Sequence, residues 1–342
     1  MEYNIKTTIV DVAKRAGVSV ATVSRVVNDK EFVRDATRRK VLKAINELKY
    51  VPNMSARELH TQHSTNVGVV VPSVYNMFFA EVIDGIEDFL RQGSYSLLLN
   101  CAQNNPQQEM NCIKAFMSRN VSGVIVISPN TNGINEEFYK EIAKQISLVF
   151  INAYYHIPGA CYVTNDEAMG TEEALNYLFN LNHKRILFVR GVNSDSYEIK
   201  EITYRRIMKS KGIAADDYII NIGEGNGMNT VDDTAKCLAK TLSYTDATAI
   251  FCCNDLMGVG AINACKRLGK LIPQDISIIG YDNISISHFI EPKLTTMDQN
   301  MFQLGSNAAE LLIDNINTNR SKRVTLYNVL VVRDSTGYNW IQ

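Results

Sequence analysis

From Asn66 onward the chain repeats one pattern: a short run rich in β-branched residues, a helix-length amphipathic stretch, then another run. The runs fall at 67–71, 95–99, 121–127, 147–151, 185–189, 218–222, 247–252 and 276–280, with a last strand-like run at 326–332. Helix-length segments at 78–91, 106–119, 167–181, 231–242 and 255–268 separate them. Strands that alternate with helices imply a parallel sheet, because a parallel crossover needs a dozen or more residues and the intervening helix covers a sheet face. Eight runs are too many for one small sheet, so the expectation is an α/β chain with two doubly wound lobes. Such sheets bind ligands outside the carboxyl ends of their strands.

Residues 1–50 obey a different rule. They hold no alternating run but three helical segments, at 9–16, 20–28 and 35–48. Gly17 can take the left-handed conformation that ends the first helix, and Ser19 can cap the second, with Val23, Val26 and Val27 on its inner face. Two helices joined by so tight a turn, the second polar near its start, form the arrangement that lays its second helix in the major groove of DNA. Charge agrees. Residues 1–62 carry twelve Lys/Arg against seven Asp/Glu, a net +5, which leaves twenty-three against twenty-nine, a net −6, for the rest. A basic front on an acidic body suits a polyanion-binding module joined to something else. Residues 51–65, with Pro52, Asn53, Ser55, Ser64 and Thr65, read as a linker holding one short helix.

The string Asp11-Val12-Ala13, Gly17-Val18-Ser19, Thr22-Val23-Ser24-Arg25-Val26-Val27-Asn28, Thr37-Arg38 and Tyr50-Val51-Pro52-Asn53 resembles the LacI-GalR family of transcription regulators. Its headpiece is closest to the catabolite-control branch, because Val20 and Ala21 stand where the lac repressor has larger polar residues. The resemblance implies that Val20, Ala21 and Arg25 meet base edges. Arg25 can donate a bidentate pair to guanine, whereas the other two can only make apolar contact, for instance with a thymine methyl. Ser19, Thr22, Ser24, Asn28, Arg34 and Thr37 would hold phosphates. For Thr22 and Ser24 an alternative stays open, that they satisfy local backbone groups. The segment from Asn53 through Ser55 and Ala56 to Leu59 matches the family's hinge helix. It is too short to be stable alone, so it would order as a pair on DNA, with Leu59 wedged into the minor groove.

Landmarks continue along the core at Val71-Pro72, Asn165-Asp166, Asn254-Asp255, Tyr281-Asp282 and Leu304-Gly305, so the resemblance covers residues 8 to about 333. It implies lobes like a periplasmic sugar-binding protein, the first at about 66–160 plus 293–323 and the second at about 161–292 plus 324–342. Three crossings would join them, around a cleft lined by Tyr75, Phe79, Asn152, Glu201, Asn254 and Asp282, with Phe302 a further candidate for the lining. One departure stands out. Glu201 falls where the family has an effector-gripping arginine, and an ionised carboxylate only accepts hydrogen bonds where arginine only donates them. A cationic or donor-rich effector and a pocket without a small-molecule role both follow.

The expected protein is a repressor of a metabolic operon. It would be a homodimer on a double-stranded operator, lacking the leucine heptad tail of tetrameric relatives, and governed by a small-molecule effector. The alternatives are a catabolite-control regulator partnered by a phosphorylated carrier protein and, from another class, a solute-binding protein. No apolar run approaches the ~18 residues of a membrane span, and residues 1–8 lack a secretory apolar stretch, so a cytoplasmic protein with no membrane partner is expected. The seven cysteines include no Cys-x-x-Cys, the five histidines have no metal-ligand spacing, and no Gly-x-Ser-x-Gly occurs, so neither cofactor, metal nor enzymatic activity is expected. Gly223-Glu224-Gly225-Asn226-Gly227 lacks the Lys-Ser/Thr of a phosphate loop and reads as a turn.

Overall fold

Val67, Val69, Val70 and Val71 are all buried, so strand β1 (Asn66–Val71) is covered on both faces, as a strand inside a parallel sheet must be. A computed structural model describes residues 7–28, 33–51, 64–130 and 136–340. They divide into two compact units, the first within Met1–His63 and the second within Ser64–Gln342.

The first unit contains α1 (Ile9–Ala16), α2 (Val20–Val27) and α3 (Asp35–Leu48). Val12, Ala13, Val23, Val26, Val41 and Ala44 form its core. An ion pair of 2.5 Å between Arg15 and Glu47 joins α1 to α3 at the surface.

The second unit holds two parallel sheets. The first runs β2 (Ser96–Cys101), β1, β3 (Gly123–Ile127), β4 (Ser147–Ile151), β5 (Cys161–Asn165), β11 (Arg323–Leu326). The second runs β7 (Ile219–Asn221), β6 (Ile186–Arg190), β8 (Ala249–Cys252), β9 (Ser277–Ile279). An antiparallel pair, β10 (Thr296–Asp298) with β12 (Val329–Val331), lies where the chain passes between lobes. The chain leaves the first sheet after β5, returns after β10 and leaves again after β11. In both sheets the strand order reverses beside the first strand of the lobe, between β1 and β3 and between β6 and β8. These are the switch points at which a doubly wound sheet opens a crevice.

The observed pairing corrects the lobe boundary. Strand β5 lies between β4 and β11 in the first sheet, so residues 161–165 and the strand at 323–326 belong to the first lobe. The cause is local. All five residues of β5 are buried, and it reads as neither an alternating nor a long apolar run.

Two helices of the first lobe, Met77–Gln92 and Met301–Thr318, approach so closely that their glycines have no room for a side chain. A Cβ on Gly85 would lie 2.0 Å from the Phe302 carbonyl oxygen, and one on Gly305 2.0 Å from that of Val82. Both obstacles are backbone, so no rotamer change relieves them. Gly305→Ala should therefore lower stability by about 1–3 kcal/mol through overpacking. The check is a lower denaturant midpoint at unchanged slope, and an unchanged midpoint would refute the close approach.

Candidate nucleic-acid interface and ligand cleft

The headpiece presents its second helix by local chemistry. Thr8 and Asp11 cap α1 reciprocally: the Thr8 backbone N–H donates to the Asp11 carboxylate at 2.9 Å and the Asp11 N–H to the Thr8 hydroxyl at 3.4 Å. These Thr8 bonds, the side-chain one first, hold the Asp11 carboxyl below its ordinary range. Gly17 ends the helix at φ 66°, ψ 40°, its N–H reaching the Ala13 and Lys14 carbonyls. Ser19 is extended, and its hydroxyl accepts from the Thr22 N–H at 3.1 Å, which starts α2 two residues after the turn. Val23 and Val26 then face the core, so the opposite arc carries Val20, Ala21 and Arg25, all exposed. At 3.6 residues per turn, Val20, Ser24, Asn28, Ala21 and Arg25 share an arc of about 140°.

The remaining headpiece residues divide. Arg34 is exposed at the start of α3 and Thr37 is half-buried one turn on. Thr22 shares a hydroxyl contact of 2.9 Å with Ser19, and the Asn28 amide donates to the Ser24 carbonyl at 2.8 Å and hydroxyl at 3.3 Å. The Thr22 and Ser24 hydroxyls thus meet the neighbouring side chains of Ser19 and Asn28. Asn53, Ser55, Ala56 and Leu59 lie outside the described residues.

In the core, the carboxyl ends of both sheets converge on one cleft. Its first-lobe wall includes Asn76, Phe78, Phe79, Asn104, Ser128 and Asn152. Its second-lobe wall includes Glu167, Ser196, Tyr197, Lys200, Asn226, Asn254 and Asp282, and Gln299 lies at the crossover. The cleft volume is about 40 Å³.

Of the residues expected here, Phe79, Asn152, Asn254 and Asp282 are brought together. Phe79 meets Phe78 edge-on at 5.4 Å. Asn152 accepts from the Asn165 N–H at 3.0 Å, and Asn254 caps the helix Asp255–Arg267 by accepting from the Met257 N–H at 2.9 Å. Asp282 accepts from the Gln299 amide at 2.5 Å. Burial pushes its carboxyl well above the usual range, against the pull of Lys200. Asp255, next to Asn254, is pushed up to about 7 by burial. Tyr75 and Phe302 do not join the lining and are 60% and 41% exposed.

Glu201 requires a correction. Its carboxylate turns away from the cleft onto Arg190 and, at 2.7 Å, Arg205. Burial works against its charge, but those two arginines prevail and hold its carboxyl low. The cleft residue is its neighbour Lys200. On the helix Asp195–Ser210 the buried positions are Tyr197, Lys200, Thr203, Tyr204, Ile207 and Met208, a helical stripe that includes the lysine and omits the glutamate. Lys200 also stands three residues before Thr203-Tyr204, so a one-residue shift restores a cation at the arginine's place. That stripe was readable from sequence.

Lys200 and Glu167 are each 1% exposed and 3.2 Å apart. The ammonium donates to the Cys253 carbonyl at 3.1 Å and sits 3.6 Å from the centre of the Tyr281 ring. The Ser196 hydroxyl holds the other Glu167 oxygen at 2.9 Å. The cation is therefore neutralised within the protein, and the rest of the lining is mostly amides and hydroxyls, with two phenyl rings, Pro72, Cys253 and the Asp282 carboxyl. Among the described residues no His/Cys/Asp/Glu group could hold a metal ion, and no helix is long and apolar enough to cross a membrane.

A helix-turn-helix with a polar reading face, joined in one chain to two lobes around a polar cleft, defines a ligand-responsive DNA-binding regulator. The comparisons agree. Residues 8–53 match the family model of bacterial regulatory proteins, lacI family, and residues 175–336 match that of the periplasmic binding protein-like domain. The chain is 34% identical over 339 residues to catabolite control protein A of Priestia megaterium, covering 96% of this chain and 99% of that one. It is also 34% identical over 335 residues to the HTH-type transcriptional repressor PurR of Vibrio vulnificus (strain CMCP6), covering 96% and 98%. A crystal structure of the lac repressor dimer bound to operator and the anti-inducer ONPF superposes with a TM-score of 0.84 at 25% identity, covering 97% and 99%. The chain belongs to the lacI family of bacterial regulatory proteins.

Proposed function

We propose that this chain is a cytoplasmic transcriptional repressor that binds a near-palindromic operator as a homodimer and responds to a small polar ligand in the core cleft. The observation that carries it is the outward face of α2, where Val20, Ala21 and Arg25 stand exposed on a rod fixed from behind by Val23 and Val26. In this reading Arg25 donates to a guanine edge while Val20 and Ala21 pack on base methyl groups. Ser19, Thr22, Ser24, Asn28, Arg34 and Thr37 set the register on phosphates, and Asn53, Ser55, Ala56 and Leu59 enter the minor groove. The lac repressor complex, similar over nearly the whole chain and crystallised as a dimer on operator, supports the dimer and the DNA.

The cleft supports the ligand. Amides, hydroxyls and phenyl rings suit a small polar molecule, and Lys200, already paired, offers no free charge to an anion. Such a ligand acts only through unequal affinity for two arrangements of the lobes. Equal identity to catabolite control protein A and to PurR gives no ground for preferring a phosphorylated carrier protein as co-regulator.

The test is selection of bound duplex from random sequence. A recurrent two-fold symmetric site is expected, with affinity that falls steeply as salt rises. Enrichment of no motif, or binding indifferent to salt, would refute the proposal.

A further inference from the structure

The walls of the cleft already hold each other. The loop at 223–229, between β7 and the helix Thr230–Thr241 of the second lobe, reaches across to the first. The Asn76 amide of the first lobe donates to the Asn226 side-chain oxygen at 2.9 Å, and the Asn104 amide donates to Glu224 at 2.8 Å. The same Glu224 oxygen accepts the Asn226 N–H at 2.8 Å, so the two latching residues brace each other. From below, the Asn254 amide donates to the Gly225 carbonyl at 2.7 Å.

The backbone is seated as tightly. A Cβ on Gly225 would lie 2.6 Å from the Tyr197 hydroxyl and 2.7 Å from the Met257 methyl, and one on Gly227 2.1 Å from a Glu224 oxygen. Gly223, at φ 83°, makes the turn that brings the loop over the cleft.

We propose that this glycine-rich loop is a latch that ties the two walls of the cleft together. Glu224 and Asn226 occupy the first-lobe donors Asn104 and Asn76, and the latch must release for the two walls to part. The inference rests on reading the cleft as a ligand site and adds the device that ties its walls. Two interlobe bonds of ordinary net strength bias closed over open by roughly 5- to 150-fold, a bias that a ligand or a mutation can reverse.

The experiment is hydrogen exchange read by mass spectrometry on the full-length protein without DNA or ligand. In the wild type, amides at 223–229, 76–79 and 102–105 should be protected. Glu224→Ala with Asn226→Ala should exchange there at least about five-fold faster, while the helix Met301–Thr318 and the headpiece keep their rates. Glu224→Gln, which retains an acceptor oxygen, should remain close to wild type. Equal rates in wild type and double variant, or a wild-type loop already exchanging as a free peptide, would overturn the latch. Should the double variant lose protection throughout the core, Asn104→Ala decides, since it cuts one interlobe bond from the other side and must give the same local pattern or sink the idea. A chain that selected no operator would leave these rates untouched, so the two readings fail separately.

Discussion

Replacing Arg25 with alanine should weaken binding to the selected operator by roughly 5- to 150-fold per half-site and flatten the preference at one base pair in each half. The magnitude follows from the discrimination of about 1–3 kcal/mol carried by a good bidentate contact to guanine. The residue is exposed on α2, on the arc opposite Val23 and Val26, so its removal leaves the headpiece core untouched and stability should move by less than about 0.5 kcal/mol. Arg34→Ala makes the useful contrast. It too is exposed, at the start of α3, but its assigned partner is a phosphate, so affinity should fall about equally for every sequence and the salt slope should shrink by about one. Anisotropy titrations on the selected duplex and its single-base variants, at fixed salt, separate the two patterns. An Arg25 variant with unchanged base preference would mean that α2 does not read the groove.

The headpiece was legible because its decisive signals are local. Gly17 and Ser19 mark a stop and a start within three residues, and the spacing of Val23 and Val26 gives the buried face without reference to any distant residue. The strand runs of the core were legible for the same reason. Strand β5 was not, because its place depends on hydrogen bonds to β4 and to β11, which is more than 150 residues away in sequence. The cleft shows the same division. Asn152, Asn254 and Asp282 follow strands whose ends converge there, so position along a strand sufficed. Tyr75, which also follows a strand, turns out to solvent, and strand position cannot report that. Glu201 and Lys200 needed helical phase, and one residue of misregistration turned an inward cation into an outward carboxylate. The interlobe partners Asn76, Asn104, Glu224 and Asn226 leave no mark in sequence beyond glycines around two polar residues.

Lys200→Met should cost the core about 3–5 kcal/mol, because removing one member of a buried ion pair strands the other without a counter-charge. Glu167 is only 1% exposed, and the Ser196 hydroxyl at 2.9 Å is a weak substitute for an ammonium at 3.2 Å. The carbonyl of Cys253 and the face of Tyr281 lose their cation as well. Adding Glu167→Gln should recover most of that loss, since a neutral amide beside a thioether carries no uncompensated charge and fills a similar volume. The decisive quantity is the interaction term of the double-mutant cycle, measured as denaturant midpoints of the full-length chain. A large term makes the pair an internal salt that leaves the cleft electrically neutral, which is why an uncharged ligand suits it better than an anion. If the two substitutions are additive, Lys200 is not bound to Glu167 in any energetic sense. Its charge is then available to a ligand, and the preference for an uncharged molecule has to be given up.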